Sequence, residues 1–205
     1  MKLYLSPGAC SLSPHIVALE AGLAVTLQKV DTGTKTIAVE GDYWAVNPKG
    51  YVPALELANG EVLTEGPAIV QYLGDQKPES GIVPKAGTLE RYRLQEMLSY
   101  ITSEIHKTYS PLFNSKTPAE TVEERKHYLR KRYKLLDEKL AGRDYLLGDR
   151  FTAADAYLFT VTTWAPYVKL DLSEFPNLVA FQARVAARPS VQQALKAEQQ
   201  LKKAA

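Results

Sequence analysis

The order of apolar and polar residues changes character partway along the chain. Through about residue 77 the apolar runs are short and broken. Residues 2–6 read as a strand, and a helix is predicted over about 11–21, with Pro14 tolerated in its first turn and Gly22 placed to end it in a left-handed cap. Residues 25–30 alternate apolar with polar, the two-residue period of a strand. The segments 55–57 and 62–64 flank Asn59-Gly60, where both residues tolerate positive φ, and so predict a hairpin. A second helix starts near Pro67 and carries Ile69, Val70, Tyr72 and Leu73. Between the second strand and the hairpin the pattern defines no element.

Pro78, Gly81, Pro84 and Gly87 predict a linker over 78–87. Beyond it the rhythm is helical throughout. Leu94, Leu98, Ile101 and Ile105 recur at helical spacing, as do Val122, Leu129, Tyr133, Leu136 and Leu140. Thr117-Pro118-Ala119-Glu120 and Thr152-Ala153-Ala154-Asp155 both have the form of a capping box. Gly142 closes the helix opened by the first box; the second opens one through Tyr157, Leu158, Val161 and Trp164. Further helices follow Pro176 and Pro189. The expected layout is an α/β domain over 1–80 followed by an all-α domain over 87–205.

Composition narrows the function classes. The 205 residues are 45% hydrophobic and 23% charged, enough for a core without disulfides or metal. The formal net charge of +2 argues against a dedicated nucleic-acid or membrane-surface protein. Arg125, Lys126, Arg130, Lys131, Arg132 and Lys134 form a basic run, but Leu129, Tyr133 and Leu136 interrupt it at core spacing, so it reads as a solvated helix face. One cysteine excludes an intrachain disulfide and a thiolate-rich zinc site. His15, His106 and His127 show no metal-ligand spacing, so no metal is expected. No apolar run reaches the length of a signal segment or a membrane span, and a cytoplasmic location is the expectation.

Three short segments carry candidate chemistry. Cys10 follows Ser6-Pro7-Gly8-Ala9 and precedes the first helix, where unpaired amides and the helix dipole stabilise a thiolate. The competing reading is a small buried residue without chemistry. Val52-Pro53 stands immediately before a strand. A cis bond there turns the Val52 backbone outward, where an extended peptide pairs with it as an added strand; a trans proline at a strand's first residue is the alternative. Thr64-Glu65-Gly66-Pro67 opens a helix whose mouth suits a carboxylate while Glu65 suits an ammonium group, the two ends of an α-amino acid.

In this order these segments resemble the glutathione transferases, and specifically their bacterial beta class. Ser6-Pro7-Gly8-Ala9-Cys10-Ser11 is similar to that class's cysteine loop, Val52-Pro53 to its cis-proline position, and Thr64-Glu65-Gly66-Pro67-Ala68-Ile69 to the segment that holds the glutamyl moiety. Glu104-Ile105-His106-Lys107 resembles the class's basic pair, and the stretch from Tyr145 through Asp155 its helical-domain signature. The resemblance implies a thioredoxin-like N-terminal domain, an all-helical C-terminal domain and a homodimer.

It also implies glutathione as co-substrate, small hydrophobic electrophiles as second substrates, and no further cofactor. Cys10 and His106 are the implied catalytic residues. Lys35, Val52, Pro53, Glu65, Gly66 and Lys107 are the implied glutathione contacts, with Ser103 and Glu104 reaching the partner subunit's glutathione. Gly66 stands where many transferases carry serine, and Ser11 is a substitute hydroxyl donor. Tyr109 and Trp164 are candidate walls of a second-substrate pocket. Thiol–disulfide exchange through Cys10 and a non-catalytic binder of apolar ligands on the same fold are the competing functions.

Overall fold

The computed structural model describes residues 1–37 and 41–203. It divides into two compact units, Met1–Lys85 with Arg188–Ala205, and Ala86–Ala187.

The first unit is built on a sheet of order β4-β3-β2-β1-β5-β6, formed by β1 (Lys2–Leu5), β2 (Thr26–Asp31), β3 (Thr36–Ile37), β4 (Gly41–Asp42), β5 (Ala54–Glu56) and β6 (Val62–Thr64). β1 and β2 run parallel because a helix, α1 (Leu12–Glu20), connects them; the other pairs are antiparallel. α1 is buried from Leu12 through Ala18 and ends where Gly22 takes a left-handed backbone, φ 68°. The second helix, α2 (Gly66–Asp75), packs on α1 and buries Ile69, Val70, Leu73 and Gly74. This is the thioredoxin-like arrangement that the resemblance implies.

Two details of this unit differ from the pattern. The undefined stretch after β2 contains β3 and β4, strands of two residues each and too short for a periodic signal. In the hairpin only Gly60 takes positive φ, 84°; Asn59 instead accepts the Glu61 N–H on its side-chain oxygen, 3.1 Å. The loop is therefore longer than a two-residue turn, with Leu57 N–H bonded to Glu61 C=O.

The units part at the predicted linker, but the expected second domain, 87–205, ends earlier than its sequence limit. The final helix, α8 (Pro189–Lys203), packs on α1 and belongs to the first unit. Val191 and Ala194 are fully buried, and Glu20 at the end of α1 bonds both Arg188 and Ser190.

The second unit is helical. α3 (Leu89–Tyr100) continues as a π-helical stretch over Ile101–His106 and then as α4 (Lys107–Tyr109). Leu94, Leu98, Ile101 and Ile105 are all buried, as their spacing predicts. α5 (Ala119–Leu140) buries Leu129, Tyr133, Leu136 and Leu140. α6 (Ala153–Thr162) is buried at every residue, and α7 (Pro176–Ala186) packs on both α5 and α6.

The two capping boxes have different outcomes. At α6, Asp155 Oδ2 accepts from the Thr152 N–H at 2.8 Å and its hydroxyl at 2.7 Å, while Oδ1 accepts the Leu146 N–H at 2.8 Å. At α5 the box does not form: the Thr117 hydroxyl donates to Pro111 C=O at 2.6 Å, and Pro118 stands at the cap. The basic run is also more engaged than a solvated face. Arg130 pairs with Glu174, and Arg132 is half-buried, its Nε 2.7 Å from Glu104 Oε2.

Candidate functional site

The first unit brings three of the predicted segments together. Cys10 lies in the turn between β1 and α1, and its Sγ donates to the Val52 carbonyl at 3.2 Å. The Val52–Pro53 bond is cis. The helix mouth differs from the expectation of unpaired amides: Leu12 N–H bonds Ala9 C=O at 3.1 Å and Ser13 N–H bonds Cys10 C=O at 3.2 Å. α1 thus starts with tight turns that use up its first donors, and Cys10 precedes the helix, as the sequence predicts. Ser11 is likewise withdrawn as a hydroxyl donor. It is completely buried, receiving the Ser6 N–H at 3.1 Å and donating to Ser6 C=O at 3.2 Å.

The backbone before Pro53 is held from behind by residues the sequence did not single out. Tyr43 and Asn47 both donate to Tyr51 C=O, each at 2.7 Å. Tyr43 is fully buried and packs with Tyr4, Val30, Val52 and Ala54. Burial pushes its phenol up to about 12, so it stays a neutral donor. Tyr4 is packed in the same cluster and gives its hydroxyl to Glu56 at 2.6 Å, away from Cys10. No described residue accepts from the Val52 N–H, which is the donor an added strand requires.

Glu65 has a backbone conformation rare outside glycine, φ 71° and ψ 116°, at the junction of β6 and α2. Its exposed carboxylate accepts from Lys49 Nζ at 2.7 Å, and the same ammonium reaches the Thr64 hydroxyl at 3.0 Å. A lysine ammonium therefore already sits against Glu65. The Ala68 and Ile69 amides turn back to Glu65 C=O, and Pro67 has none, which leaves Gly66 as that turn's available donor. A Cβ added at Gly66 meets only Pro53 Cγ, at 3.9 Å, so the glycine is not required by space.

Lys35 also adopts positive φ, 61°, and its Nζ donates to Gly50 C=O at 2.8 Å. The ammonium lies 5.9 Å from the Trp44 ring and 5.6 Å from the Tyr51 ring, both exposed. Gly50 permits this arrangement, since a Cβ there would come within 2.6 Å of Trp44.

A buried pair lies behind the cysteine loop. Glu198 on α8 accepts the Gly8 N–H at 2.8 Å, and its other oxygen is 4.0 Å from His15 Nδ1 on α1. Among the described residues, neither of those two facing atoms has a hydrogen-bond partner. Burial pushes Glu198 up to about 7 and His15 down to about 4.

In the second unit the predicted residues cluster on the π-helical stretch and beside α6. His106 Nδ1 is 2.6 Å from the Tyr157 hydroxyl, and its ring meets Trp164 edgewise at 4.9 Å. Ser103 and Lys107 are exposed. Glu104, expected to reach a partner subunit, is engaged within its own chain: Tyr128 donates to its Oε2 at 2.5 Å, beside the Arg132 contact. Tyr109 is completely buried and bonds Tyr133 hydroxyl to hydroxyl at 2.9 Å, so it is core and not a pocket wall. Trp164 is buried against His106, Tyr109 and Phe113. A hollow of about 590 Å³ on this unit, floored by Ala165, Leu170 and Leu178, includes none of the predicted residues. Among the described residues, no group of three or more His, Cys, Asp or Glu is arranged to hold a metal, and no helix is long and apolar enough to cross a membrane.

Comparison with known proteins agrees with this arrangement. Residues 8–76 match a family model described as the glutathione S-transferase N-terminal domain, and residues 100–189 match the glutathione S-transferase C-terminal domain. The chain is 46% identical to glutathione S-transferase GstA of Escherichia coli O157:H7, over 97% of this chain and 98% of that protein. Among solved structures it resembles a sphingomonad glutathione S-transferase complexed with glutathione, with 45% identity, TM-score 0.93, and coverage of 97% of this chain and 98% of that one. The bacterial beta-class glutathione S-transferase of Sphingomonas chungbukensis is similar at 46% identity and TM-score 0.93, with the same coverage. This chain belongs to the glutathione S-transferase family, on its bacterial beta-class branch.

Proposed function

We propose that the protein binds glutathione along the backbone edge at Val52 and directs its sulfur onto small hydrophobic electrophiles. The observation that carries this reading is the contact of Cys10 Sγ with the Val52 carbonyl, beside a Val52 N–H that no described residue accepts. An extended peptide pairing with Val52 brings its own cysteinyl sulfur to that spot. Glu65 takes the γ-glutamyl ammonium by exchanging it for Lys49, and the Gly66 N–H takes the carboxylate. Lys35, lifted toward Trp44 and Tyr51, takes the glycyl carboxylate. A sphingomonad relative crystallised with glutathione lends this support.

The resemblance adds His106 and Lys107 as groups that favour the thiolate over the thiol, and Ser103 and Glu104 as contacts to a second subunit's glutathione. A homodimer is supported by Leu89 and Tyr92, large apolar side chains exposed on α3. A reducing, cytoplasmic setting suits a chain with one free cysteine. Binding converts a bimolecular encounter into an oriented attack, and a thiolate present at neutral pH supplies the nucleophile.

Cys10 itself favours a second activity, thiol–disulfide exchange, because it is the chain's one free thiol and sits at the proposed peptide edge. Its thiolate attacks the glutathionyl sulfur of a mixed disulfide between glutathione and another thiol, forming the Cys10–glutathione disulfide and releasing that other thiol as its thiolate; a glutathione thiolate then displaces Cys10 and leaves as glutathione disulfide. Assays of glutathione with a panel of electrophiles and disulfides, wild type beside Cys10→Ala, test both. Conjugation is expected to survive the substitution in part and exchange to be lost. Absence of glutathione binding at millimolar concentration contradicts the reading and favours a non-catalytic binder of apolar ligands.

A further inference from the structure

We propose that Tyr157 is a positioning residue for His106, its hydroxyl donating to Nδ1 and holding the imidazole as the tautomer protonated at Nε2. This rests on the reading above that His106 serves the glutathione sulfur. The hydroxyl oxygen and Nδ1 are 2.6 Å apart, a short and strong contact. Acidity decides which partner donates. A phenol, with an ordinary pKa near 10, gives up its hydrogen far more readily than a neutral imidazole N–H, and an imidazole lone pair accepts far better than a phenol oxygen.

The neighbouring hydroxyl leaves that choice in place. Thr102, one helical turn before His106, gives its hydrogen to Leu98 C=O at 2.7 Å, and its oxygen is 3.5 Å from Tyr157. It offers Tyr157 a long contact against the short one at Nδ1. The ring plane is held as well. Tyr157 and Trp164 both meet the imidazole edgewise, at 5.8 Å and 4.9 Å, with interplanar angles of 80° and 66°. Tyr157 itself is immobilised on α6, 3% exposed. Flipping the imidazole breaks the Nδ1 bond.

With Nδ1 occupied by a donor, the other nitrogen keeps its hydrogen. In that tautomer the imidazole is a hydrogen-bond donor through Nε2 and not a base that withdraws a proton. Tyr157 sets that role without touching the substrate.

The test is imidazole nitrogen NMR on the full-length, histidine-labelled protein without glutathione, at a pH where the ring is neutral. His106→Asn identifies the signals among His15, His106 and His127. The expected result is a pyrrole-type Nε2 and a pyridine-type Nδ1 in the wild type, moving toward a tautomer mixture in Tyr157→Phe. A wild-type ring protonated at Nδ1 overturns the proposal and needs no variant to fold; so does a tautomer unchanged in Tyr157→Phe. Tyr157→Phe is also expected to lower kcat for conjugation about 3- to 10-fold, the scale of one hydrogen bond, with KM for glutathione within about twofold. An unchanged kcat overturns the link to turnover. The expected tautomer in a protein with no glutathione-dependent turnover upholds the placement and overturns the conjugation reading instead.

Discussion

Single residues decide how glutathione is gripped, and Gly66 offers a direct test. The glycine leaves room, since an added Cβ meets only Pro53 Cγ at 3.9 Å. Gly66→Ser supplies a hydroxyl donor beside the backbone N–H already assigned to the glutamyl carboxylate. It is expected to lower KM for glutathione about 2- to 10-fold with little change in kcat, measured by steady-state kinetics. A raised KM would contradict the placement of the carboxylate there. Cys10, Val52 and Glu65 were legible in the sequence because each stands in a short motif, whereas Lys35 has none around it. Their supports were not legible. Tyr43 and Asn47 reach the Tyr51 carbonyl from a stretch where the pattern defines no element, and Glu198 reaches the Gly8 amide from 190 positions away. The buried Glu198 makes a second prediction at this scale. Its folded pKa, about 7, lies above the ordinary 4.5, so the folded state holds a proton the unfolded chain has released, and stability falls as pH rises from about 4.5 to 7. His15, lowered to about 4, acts in the opposite direction between about 4 and 6.5. Glu198→Gln keeps an acceptor for Gly8 and removes the titration. Its stability relative to wild type is expected to rise between pH 5 and pH 8 by on the order of 1–3 kcal/mol in denaturant unfolding. A difference independent of pH would show that the carboxylate does not titrate this way.

At the scale of elements, local signals succeeded where one segment contains its own partners. The Thr152–Asp155 box forms because donor and acceptor lie three residues apart and face each other at the start of α6. The similar Thr117 motif fails because Pro111 C=O, brought back by the preceding turn, takes the hydroxyl. The π-helical stretch escaped the pattern for a related reason. Leu94, Leu98, Ile101 and Ile105 keep core spacing through it, and only the hydrogen-bond register changes. Asp155 has a larger role than a cap. Fully buried, with its carboxyl pushed up to about 6 by desolvation, it binds the Leu146 amide as well as Thr152. Asp155→Ala strands those donors and is expected to cost roughly 3–5 kcal/mol in denaturant unfolding, Asp155→Asn somewhat less. A cost below about 1 kcal/mol would mean water replaces the carboxylate easily.

For the whole molecule, the two-rhythm pattern predicted the α/β and all-α layout and the linker, yet misassigned the last helix. α8 has the amphipathic spacing of any bundle helix, and nothing local records that Val191, Ala194 and Glu198 bury against α1. Truncation after Ala187 therefore removes part of the first unit, including the acceptor of the Gly8 amide. It is expected to destabilise the N-terminal unit by several kcal/mol and to slow glutathione-dependent turnover, read by circular dichroism and kinetics. Retained stability would place α8 outside the cooperative unit. The account as a whole depends on a tripeptide lying against Val52 with its sulfur beside Cys10. A backbone-amide NMR titration with glutathione tests this most directly. The account predicts saturable shifts at Cys10, Val52, Glu65 and Gly66, with slowed hydrogen exchange at the Val52 amide; binding that leaves those four amides unmoved contradicts it.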